Sequence, residues 1–254
     1  MNWLGGRLSR VLTTGVVADF GKFSATAEKI KAALVDGRRS EADKARDAER
    51  NPLQTLEFFR FRDDMTVLEL VPGYGWYTQI LAPVLEQKGK LYIALGAERA
   101  YEAIKGKPGF GAVGLVPFPA TRFIRTPGVK RSGLPALDFG LKGQVDLAVT
   151  FRNMHNFNDE GRQRIHQEVY KSLKPGGLYG ILDHTRRHMQ EDSTEVWRRM
   201  DPVQIIKEVQ AAGFELVDYS TLHHRPDDEL RYEVGRKTVT GNTDRFTLLF
   251  RKPT

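Results

Sequence analysis

The stretch Met65-Thr66-Val67-Leu68-Glu69-Leu70-Val71-Pro72-Gly73-Tyr74-Gly75 decides how we interpret the fold. Its first seven residues form a short apolar run, which predicts a buried β-strand, and Pro72-Gly73-Tyr74-Gly75 predicts the turn that ends the strand. A helix is predicted from Trp76 to Leu85, and Pro83 is expected to kink it or end it early. A glycine-rich turn between a strand and a helix allows the backbone to approach a ligand over the carboxyl end of the strand.

Strands and helices alternate along the rest of the chain. Residues 1–39 show no strong period, Ser40-Glu-Ala-Asp resembles a capping box, and Asn51-Pro52 predicts a helix start with Asn51 as N-cap. Helices are also predicted for Asn158–Leu173 and for Asp201–Gly213, the latter with Val203, Ile206 and Val209 facing inward. Further strands are expected at Lys90–Leu95, near Arg122–Arg125, and at Val145–Thr150, Gly177–Asp183, Phe214–Thr221 and Arg245–Arg251. Alternation that ends in two strands without an intervening helix predicts a parallel sheet with a terminal antiparallel pair.

The composition excludes several classes of protein. The 254 residues contain no run of the ~18–20 apolar residues that a membrane span requires, so we expect no membrane partner. The chain has no cysteine, which excludes disulfide scaffolds, thiolate zinc sites and cysteine nucleophiles. The net charge is +7, from 39 basic and 32 acidic residues, but these charges are interspersed along the chain. We therefore interpret them as a solvated surface and expect no nucleic-acid partner.

The N-terminal segment resembles an export signal only faintly. Arg7 and Arg10 precede an apolar run, Val11–Ala18, that is short and contains two threonines and a glycine. We therefore predict a cytoplasmic protein, with the periplasm as the alternative.

Six stretches of the chain match one family of enzymes: Met65–Leu70, Tyr77–Pro83, Phe151–Asn156, Leu173–Gly177, Asp183-His184, and Thr243–Phe246 through Lys252-Pro253. There the chain resembles the class I S-adenosylmethionine (SAM)-dependent methyltransferases, in particular a group of bacterial predicted methyltransferases. The resemblance covers roughly residues 40–254. It implies an α/β, Rossmann-like, seven-stranded, mostly parallel sheet with an antiparallel terminal strand and helices on both faces. We accordingly expect a helical N-terminal extension, residues 1–60, and a SAM-dependent methyltransferase domain, residues 61–254.

The resemblance implies that SAM lies across the turn after the first strand. By position, Glu69 would lie near the methionyl amino group, Gly73 and Gly75 would leave room for the ligand, and Trp76 would help to wall the site. The residues expected to bind the cofactor are Glu69, Val71, Gly73, Tyr74, Gly75, Tyr77, Leu95, Glu98, Phe151, Arg152 and Asn153.

Three positions depart from the family pattern. Val71 and Trp76 stand where the family has its first and third glycines. Leu95 stands where an acidic residue is expected to hold the ribose hydroxyls, and Glu98 is the available substitute. These departures keep open a non-catalytic protein of the same fold that binds SAM or another ligand.

Two histidines and an aspartate follow predicted parallel strands. His155 comes shortly after one strand, and Asp183-His184 ends another, so the three should meet at the ligand-binding edge of the sheet. We predict His155, His184 and Asp183 as catalytic residues, with one histidine deprotonating a substrate. The alternatives are a divalent metal site, which we do not adopt, and polar loop residues that only bond to the backbone.

Other basic residues are less informative. His223-His224 is interpreted as surface. Four arginines flank Asp183-His184 and the next helix, and they either hold a carboxylate or phosphate of the acceptor or form a solvated face. They are Arg186, Arg187, Arg198 and Arg199.

The predicted function is SAM-dependent methyl transfer to a small-molecule acceptor, achieved mainly by alignment of the reactants. Phe151-Arg152-Asn153-Met154 replaces the Asn/Asp-Pro-Pro-Tyr/Phe motif of the exocyclic-amine methyltransferases of DNA and RNA. The lack of cysteine excludes the cysteine-adduct route to 5-methylcytosine and the thiol-dependent arsenic methyltransferases. An RNA methyltransferase is a further alternative, suggested only by the charge. The acceptor, the methylated atom (O, N or S) and the choice between monomer and homodimer are left open.

Overall fold

The computed structural model describes residues 25–254. The faint export-signal pattern of Arg7, Arg10 and Val11–Ala18 therefore lies outside the described residues. Helix α1 covers residues 25–35, where the sequence showed no strong period. It buries Thr26, Ile30 and Ala33, which are spaced along one helical face.

Three short helices lead into the sheet: α2 (Glu41–Lys44), α3 (Asp47–Arg50) and α4 (Pro52–Phe58). The hydroxyl of Ser40 accepts a hydrogen bond from the Asp43 amide at 3.1 Å, which confirms the predicted cap. Asn51 does precede α4, but its backbone is left-handed (φ 42°) and its side chain makes no capping bond. Asn51 is thus the N-cap residue and Pro52 starts the helix, as predicted, but the cap is made without a side-chain hydrogen bond.

Seven strands form one sheet in the spatial order β3-β2-β1-β4-β5-β7-β6. Neighbours among β1 to β5 are parallel, and β7 is antiparallel to both β5 and β6. This confirms the predicted seven-stranded, mostly parallel sheet. The strands are β1 (Thr66–Leu70), β2 (Lys90–Ala94), β3 (Val113–Leu115), β4 (Val145–Phe151), β5 (Leu173–His184), β6 (Glu215–Ser220) and β7 (Arg245–Arg251).

Helices cover both faces of the sheet because successive strand residues point to opposite sides. Val67 belongs to one apolar core and Leu68 to the other. The first core includes residues of α4, α5 (Thr78–Leu85) and α6 (Glu98–Ile104), and the second includes α7 (Asp159–Ser172) and α8 (Pro202–Ala211). Among residues 25–254, no helix is both long enough and apolar enough to span a bilayer.

Three expectations about the elements were wrong. The third strand is Val113–Leu115, and the stretch near Arg122–Arg125 instead contains a short 3-10 turn, Ala120–Arg122. Strand β5 begins at Leu173, four residues before Gly177, because a register shift between Val145 and Leu147 lets it extend along β4. Helix α5 continues through Pro83, so the alternative of an early end is wrong, whereas the predicted helix end at Leu85 is confirmed.

The buried face of α8 also differs from the prediction. Val203 is 40% exposed, whereas Ile205 and Val209 are fully buried. Residues four positions apart share a helix face, so Ile205 pairs with Val209 on the inward side and Val203 does not.

Candidate active site

A cavity of about 360 Å³ opens at the carboxyl ends of β1, β4 and β5. It contains ten of the fourteen predicted site residues: Glu69, Val71, Gly73, Tyr74, Tyr77, Phe151, Arg152, Asn153, His155 and His184. Trp76 also lines it, as expected. Gly75, Leu95, Glu98 and Asp183 are not in its wall.

The turn after β1 has a left-handed backbone at three positions. Val71, Gly73 and Gly75 have φ values of 51°, 61° and 80°. The Val71 amide donates to the Ala94 carbonyl at 2.8 Å, and the side-chain amide of Asn153 donates to the Val71 carbonyl at 3.0 Å. The turn is therefore fastened to β2 on one side and to the loop after β4 on the other.

Gly73 leaves open space beside the backbone. A Cβ atom built there would have no atom within 4 Å, whereas at Gly75 it would contact Thr78 and Ala100 at 3.4–3.5 Å. Gly73 lines the cavity, so a side chain at this position would enter space that a ligand could otherwise use.

Glu69 is a buried carboxyl group in the cavity wall, with 2% of its surface exposed. Burial raises its pKa to about 7, and a hydrogen bond from the Thr78 hydroxyl to Oε2 at 2.7 Å opposes that shift. Near neutral pH this carboxyl group can therefore respond to a positive charge brought next to it.

The end of β2 offers one acceptor. Leu95 is fully buried within the second apolar core, so its side chain cannot bond to ribose hydroxyls. Glu98, at the first position of α6, has a buried Oε1 atom with no hydrogen-bond partner among residues 25–254. Buried polar atoms are normally bonded, so this oxygen is a candidate for a ligand contact.

His155, Asp183 and His184 come together as predicted. Asp183 Oδ1 lies 2.7 Å from His155 Nδ1, and Asp183 Oδ2 accepts the His155 amide at 3.1 Å. The His184 amide also donates to Asp183 Oδ1, at 2.8 Å. Asp183 is fully buried, and it fixes the His155 ring and the backbone of His184.

His184 is held as a neutral imidazole. Burial, reinforced by the neighbouring His155 and Arg245, lowers its pKa well below the usual value. Its Nδ1 is bonded to the Thr243 hydroxyl at 2.9 Å. No group of three His, Asp or Glu side chains within the described part of the chain has the arrangement of a metal site.

Sequence reasoning missed the arginines that the N-terminal helices bring to the cavity. Arg46 and Arg50 line it, and Arg245 lies buried behind them. The spacing of Arg46 and Arg50 places them on one face of a helical turn, but only the packing shows that this face meets the sheet edge. The Trp76 indole contributes to that packing by donating to the Asp43 carbonyl at 3.0 Å.

All four arginines singled out from the sequence have protein partners. Arg199 and Asp228 form a fully buried pair, with two bonds of 2.8 and 3.0 Å. Arg186 pairs with Asp192 at 3.3 Å, and Arg187 donates to the Glu229 carbonyl at 3.2 Å. Arg198 lines the cavity but is paired with Glu233.

The surface interpretation was wrong for His223, which is 1% exposed. Its ring nitrogens bond to the Thr247 hydroxyl at 2.9 Å and the Arg50 carbonyl at 3.0 Å, so it joins β7 to α3. The side chain of His224, by contrast, is 63% exposed.

Comparison with known proteins identifies the fold. No protein-family model and no curated protein matches the sequence. A SAM-dependent methyltransferase from Aquifex aeolicus superposes with a TM-score of 0.53 at 17% identity, over 89% of this chain and 97% of that one. The chain has the class I methyltransferase fold.

Other solved structures that share this fold include a cyclase and a methyltransferase. The cyclase SpnF gives a TM-score of 0.57 at 16% identity, over 86% of this chain and 84% of that one. Human N-acetylserotonin methyltransferase, solved with SAM, gives 0.50 at 12% identity, over 96% of this chain and 61% of that one. At such low sequence identity these structural similarities establish the architecture of the chain. Its activity depends on the residues of the site.

Proposed function

We propose that this protein binds SAM across the turn formed by residues 71–75 and transfers its methyl group to a small-molecule acceptor in the same cavity. The observation that carries the proposal is the combination of groups at one sheet edge. The left-handed glycine turn after β1, the buried Glu69 carboxyl group and the unpartnered Oε1 of Glu98 all occur there.

These residues fit the chemical groups of the cofactor. Glu69 offers a carboxylate for the methionyl ammonium group, and Glu98 Oε1 offers an acceptor for a ribose hydroxyl. Gly73 provides the open space that a close approach to the backbone requires. Phe151, Arg152 and Asn153 border the same cavity at the end of β4, where we place the sulfonium end.

When bound, SAM supplies a methyl group that is already activated on a sulfonium. The protein then has to hold the acceptor in line and, where the acceptor must lose a proton, receive that proton. We assign the second task to His155, whose ring borders the cavity while its Nδ1 bonds to Asp183. With Nδ1 donating to the aspartate, Nε2 carries the lone pair that accepts the proton. In this scheme Asp183 orients the base, and the neutral His184 packs beside it.

A small acceptor suits the size and enclosure of the cavity. Its volume of about 360 Å³ falls within the range of small-ligand sites. The stacked rings of Tyr77 and Phe151, with centroids 3.5 Å apart, close its floor.

A second candidate is a protein of this fold that does not transfer methyl groups. Val71 and Leu95 depart from the family pattern, and the fold is shared by a cyclase. Binding of SAM or S-adenosylhomocysteine without turnover of any acceptor would favour that candidate.

Isothermal titration of the purified protein with SAM and with S-adenosylhomocysteine tests the proposal. We expect micromolar binding of both ligands, lost in Gly73→Arg because the new side chain fills the ligand space. Gly140→Arg is the matched control, since its backbone is also left-handed (φ 65°), a Cβ there also meets nothing within 4 Å, and the position does not line the cavity. Failure of the unmodified protein to bind either ligand would overturn the proposal.

Cytoplasmic location and the division at residue 60 stay predictions. The sequence left open whether the protein is a monomer or a homodimer. The molar mass measured by light scattering after size-exclusion chromatography distinguishes the two.

A further inference from the structure

Four guanidinium groups gather around the cavity, and we call them the arginine cluster: Arg46, Arg50, Arg152 and Arg245. The first two come from the N-terminal side, at the start and end of α3. Arg152 directly follows β4, and Arg245 is the first residue of β7. Arg46, Arg50 and Arg152 line the cavity, and Arg245 lies behind them.

The cluster has less negative charge around it than its own charge requires. Within residues 25–254, Glu49 is the one carboxylate that pairs with the cluster, with Oε1 at 3.6 Å from Arg46 Nε and 3.7 Å from Arg50 Nε. The guanidinium of Arg152 has no hydrogen bond or ion pair with any residue in the described range 25–254. In the part of the chain that the structure describes, the Arg245 side chain donates only to a backbone carbonyl, that of Glu49, at 2.8 Å.

Two members of the cluster are buried with unused donors. Arg50 and Arg245 are 5% and 4% exposed, and the Nε atom of each is buried without a hydrogen-bond partner among the residues described. The Arg50 guanidinium carbon lies 4.3 Å from the centroid of the Trp76 ring. A buried guanidinium that leaves a donor without a hydrogen bond is costly, so it normally signals a ligand or a function.

The electrostatics agree with this geometry. Burial and the neighbouring Arg152 lower the pKa of Arg245 to about 10, and burial and Arg46 lower the pKa of Arg152. Both groups still carry their charge at neutral pH. Of the other acidic groups near Arg152, Asp183 is hydrogen-bonded to His155, and Glu69 is half-protonated near pH 7. The positive excess therefore persists in the folded protein.

The cofactor cannot neutralise this excess. SAM carries a sulfonium, an ammonium and a carboxylate, so its net charge is positive, and the loaded site would be more cationic still. Building on the proposed function, we infer that the methyl acceptor is a small anion whose carboxylate or phosphate group binds among Arg46, Arg50 and Arg152. The burial of Arg50 favours a compact anion over a nucleic-acid backbone, which would contact exposed cations.

Phosphate and malonate are the probes for the anion site. Each is titrated calorimetrically into the protein, alone and saturated with S-adenosylhomocysteine, so that the two probes distinguish a phosphate from a dicarboxylate preference. We expect at least one to bind with a millimolar or lower Kd in both states. Arg152→Gln and Arg50→Gln should each weaken it at least tenfold. Arg251→Gln should leave it unchanged, because Arg251 lies on the same strand as Arg245 but is half exposed and paired with Glu215.

The outcomes separate this inference from the proposed function. Absence of anion binding, or binding unaffected by Arg152→Gln, would overturn the inference even if S-adenosylhomocysteine binds. Displacement of the anion by S-adenosylhomocysteine would also overturn it, since the arginines would then serve the methionyl carboxylate. Anion binding that depends on Arg152 in a protein that binds neither SAM nor S-adenosylhomocysteine would keep the anion site and overturn the proposed function.

A screen of acceptors gives an independent readout. Carboxylic acids are compared with their amides in pairs, and release of S-adenosylhomocysteine is measured. Acids should be preferred at least tenfold in kcat/KM, and Arg152→Gln should remove that preference. Equal rates on acids and amides would overturn the inference.

Discussion

Val71, Leu95 and Arg152 share a backbone feature that their side chains do not suggest. Each directly follows a parallel strand, and their φ values are 51°, 63° and 64°. A non-glycine residue in this region costs about 1–2 kcal/mol, and such strain concentrates at functional sites. Val71 stands where the family has glycine, yet its backbone takes the conformation that glycine would take. Valine in place of glycine at position 71 therefore leaves the backbone conformation of the turn unchanged.

Glu69 makes cofactor affinity depend on pH. Its pKa of about 7 means that half of the carboxyl groups are protonated at neutral pH, and a bound ammonium group requires the ionised form. We expect the Kd for S-adenosylhomocysteine to be about tenfold higher at pH 6 than at pH 8. Glu69→Gln should bind weakly at both values, while Glu98→Gln should keep the pH dependence. Calorimetry across this range checks the prediction, and a flat profile for the unmodified protein would contradict it.

His155 is expected to affect turnover and not cofactor binding. For an acceptor that loses a proton, His155→Gln should reduce kcat by about 10²–10⁴-fold, the usual contribution of a general base. Asp183→Asn should reduce it as well, because the amide no longer fixes the imidazole tautomer. The Kd for S-adenosylhomocysteine should change little, and the exposed His224→Gln serves as control. An unaltered rate in His155→Gln would remove this residue from the mechanism.

The sequence identified the residues that follow strand ends better than those supplied by packing. His155, Asp183 and His184 could be placed together because parallel strands end at one edge. Arg50 and Arg245 could not be placed at the site from the sequence, because α3 and β7 carry them there. The positions of these two elements depend on contacts across the whole fold. The burial of His223 was missed for the same reason, as its partners lie in α3 and β7.

At the scale of elements, the residue that follows α4 packs tightly against the sheet. Phe59, which follows α4, is fully buried against Gly180 in β5, and a Cβ atom at Gly180 would lie 2.7 Å from its ring. Gly180→Ala should therefore lower the free energy of unfolding by about 1–3 kcal/mol, because the ring has to move within a packed core. Urea denaturation measures this. Gly111→Ala, with open space around it, should be close to neutral, and equal stability of the two variants would contradict the prediction.

Element types were predicted well where the pattern was long or well marked. β1, β4 and β7 are apolar runs of five to seven residues, and their positions agree with the prediction. β3 has only three residues, and one of them is Gly114, whose missing side chain gives space to the Tyr92 ring. A strand this short, with a glycine at its centre, has no clear hydropathy pattern. The sequence analysis therefore placed the third strand at the wrong position.

At the scale of the whole molecule, buried histidines govern stability in mild acid. Burial lowers the pKa of His223 to about 3 and that of His184 well below its usual value. Both bind a proton in the unfolded chain near pH 6.5 but not in the folded protein, so stability is lost as the pH falls below 6.5. Glu69 acts in the opposite direction between pH 4.5 and 7, since its folded pKa is raised.

The net effect of these groups is a loss of stability that is small near pH 6.5, where Glu69 offsets most of the histidine contribution, and that grows to about one proton, or about 1.4 kcal/mol per pH unit, near pH 5. Urea denaturation at intervals across this range should show the unfolding free energy falling with pH. Glu69→Gln should steepen the fall, because the opposing contribution is gone. Stability that stays constant or rises on acidification would contradict the assignment of these histidines as neutral.

The strand order has a consequence for synthesis on the ribosome. β6 bonds only to β7 within the described sheet, and residues 221–244 separate the two in the chain. At about 5–20 residues per second, β6 emerges roughly 1–5 s before its partner, while the outer edge of β5 is also uncovered. During that interval the nascent chain presents an open edge that can pair with another chain. A translational pause between β6 and β7 should therefore increase aggregation and reliance on chaperones, whereas a pause after β7 should not.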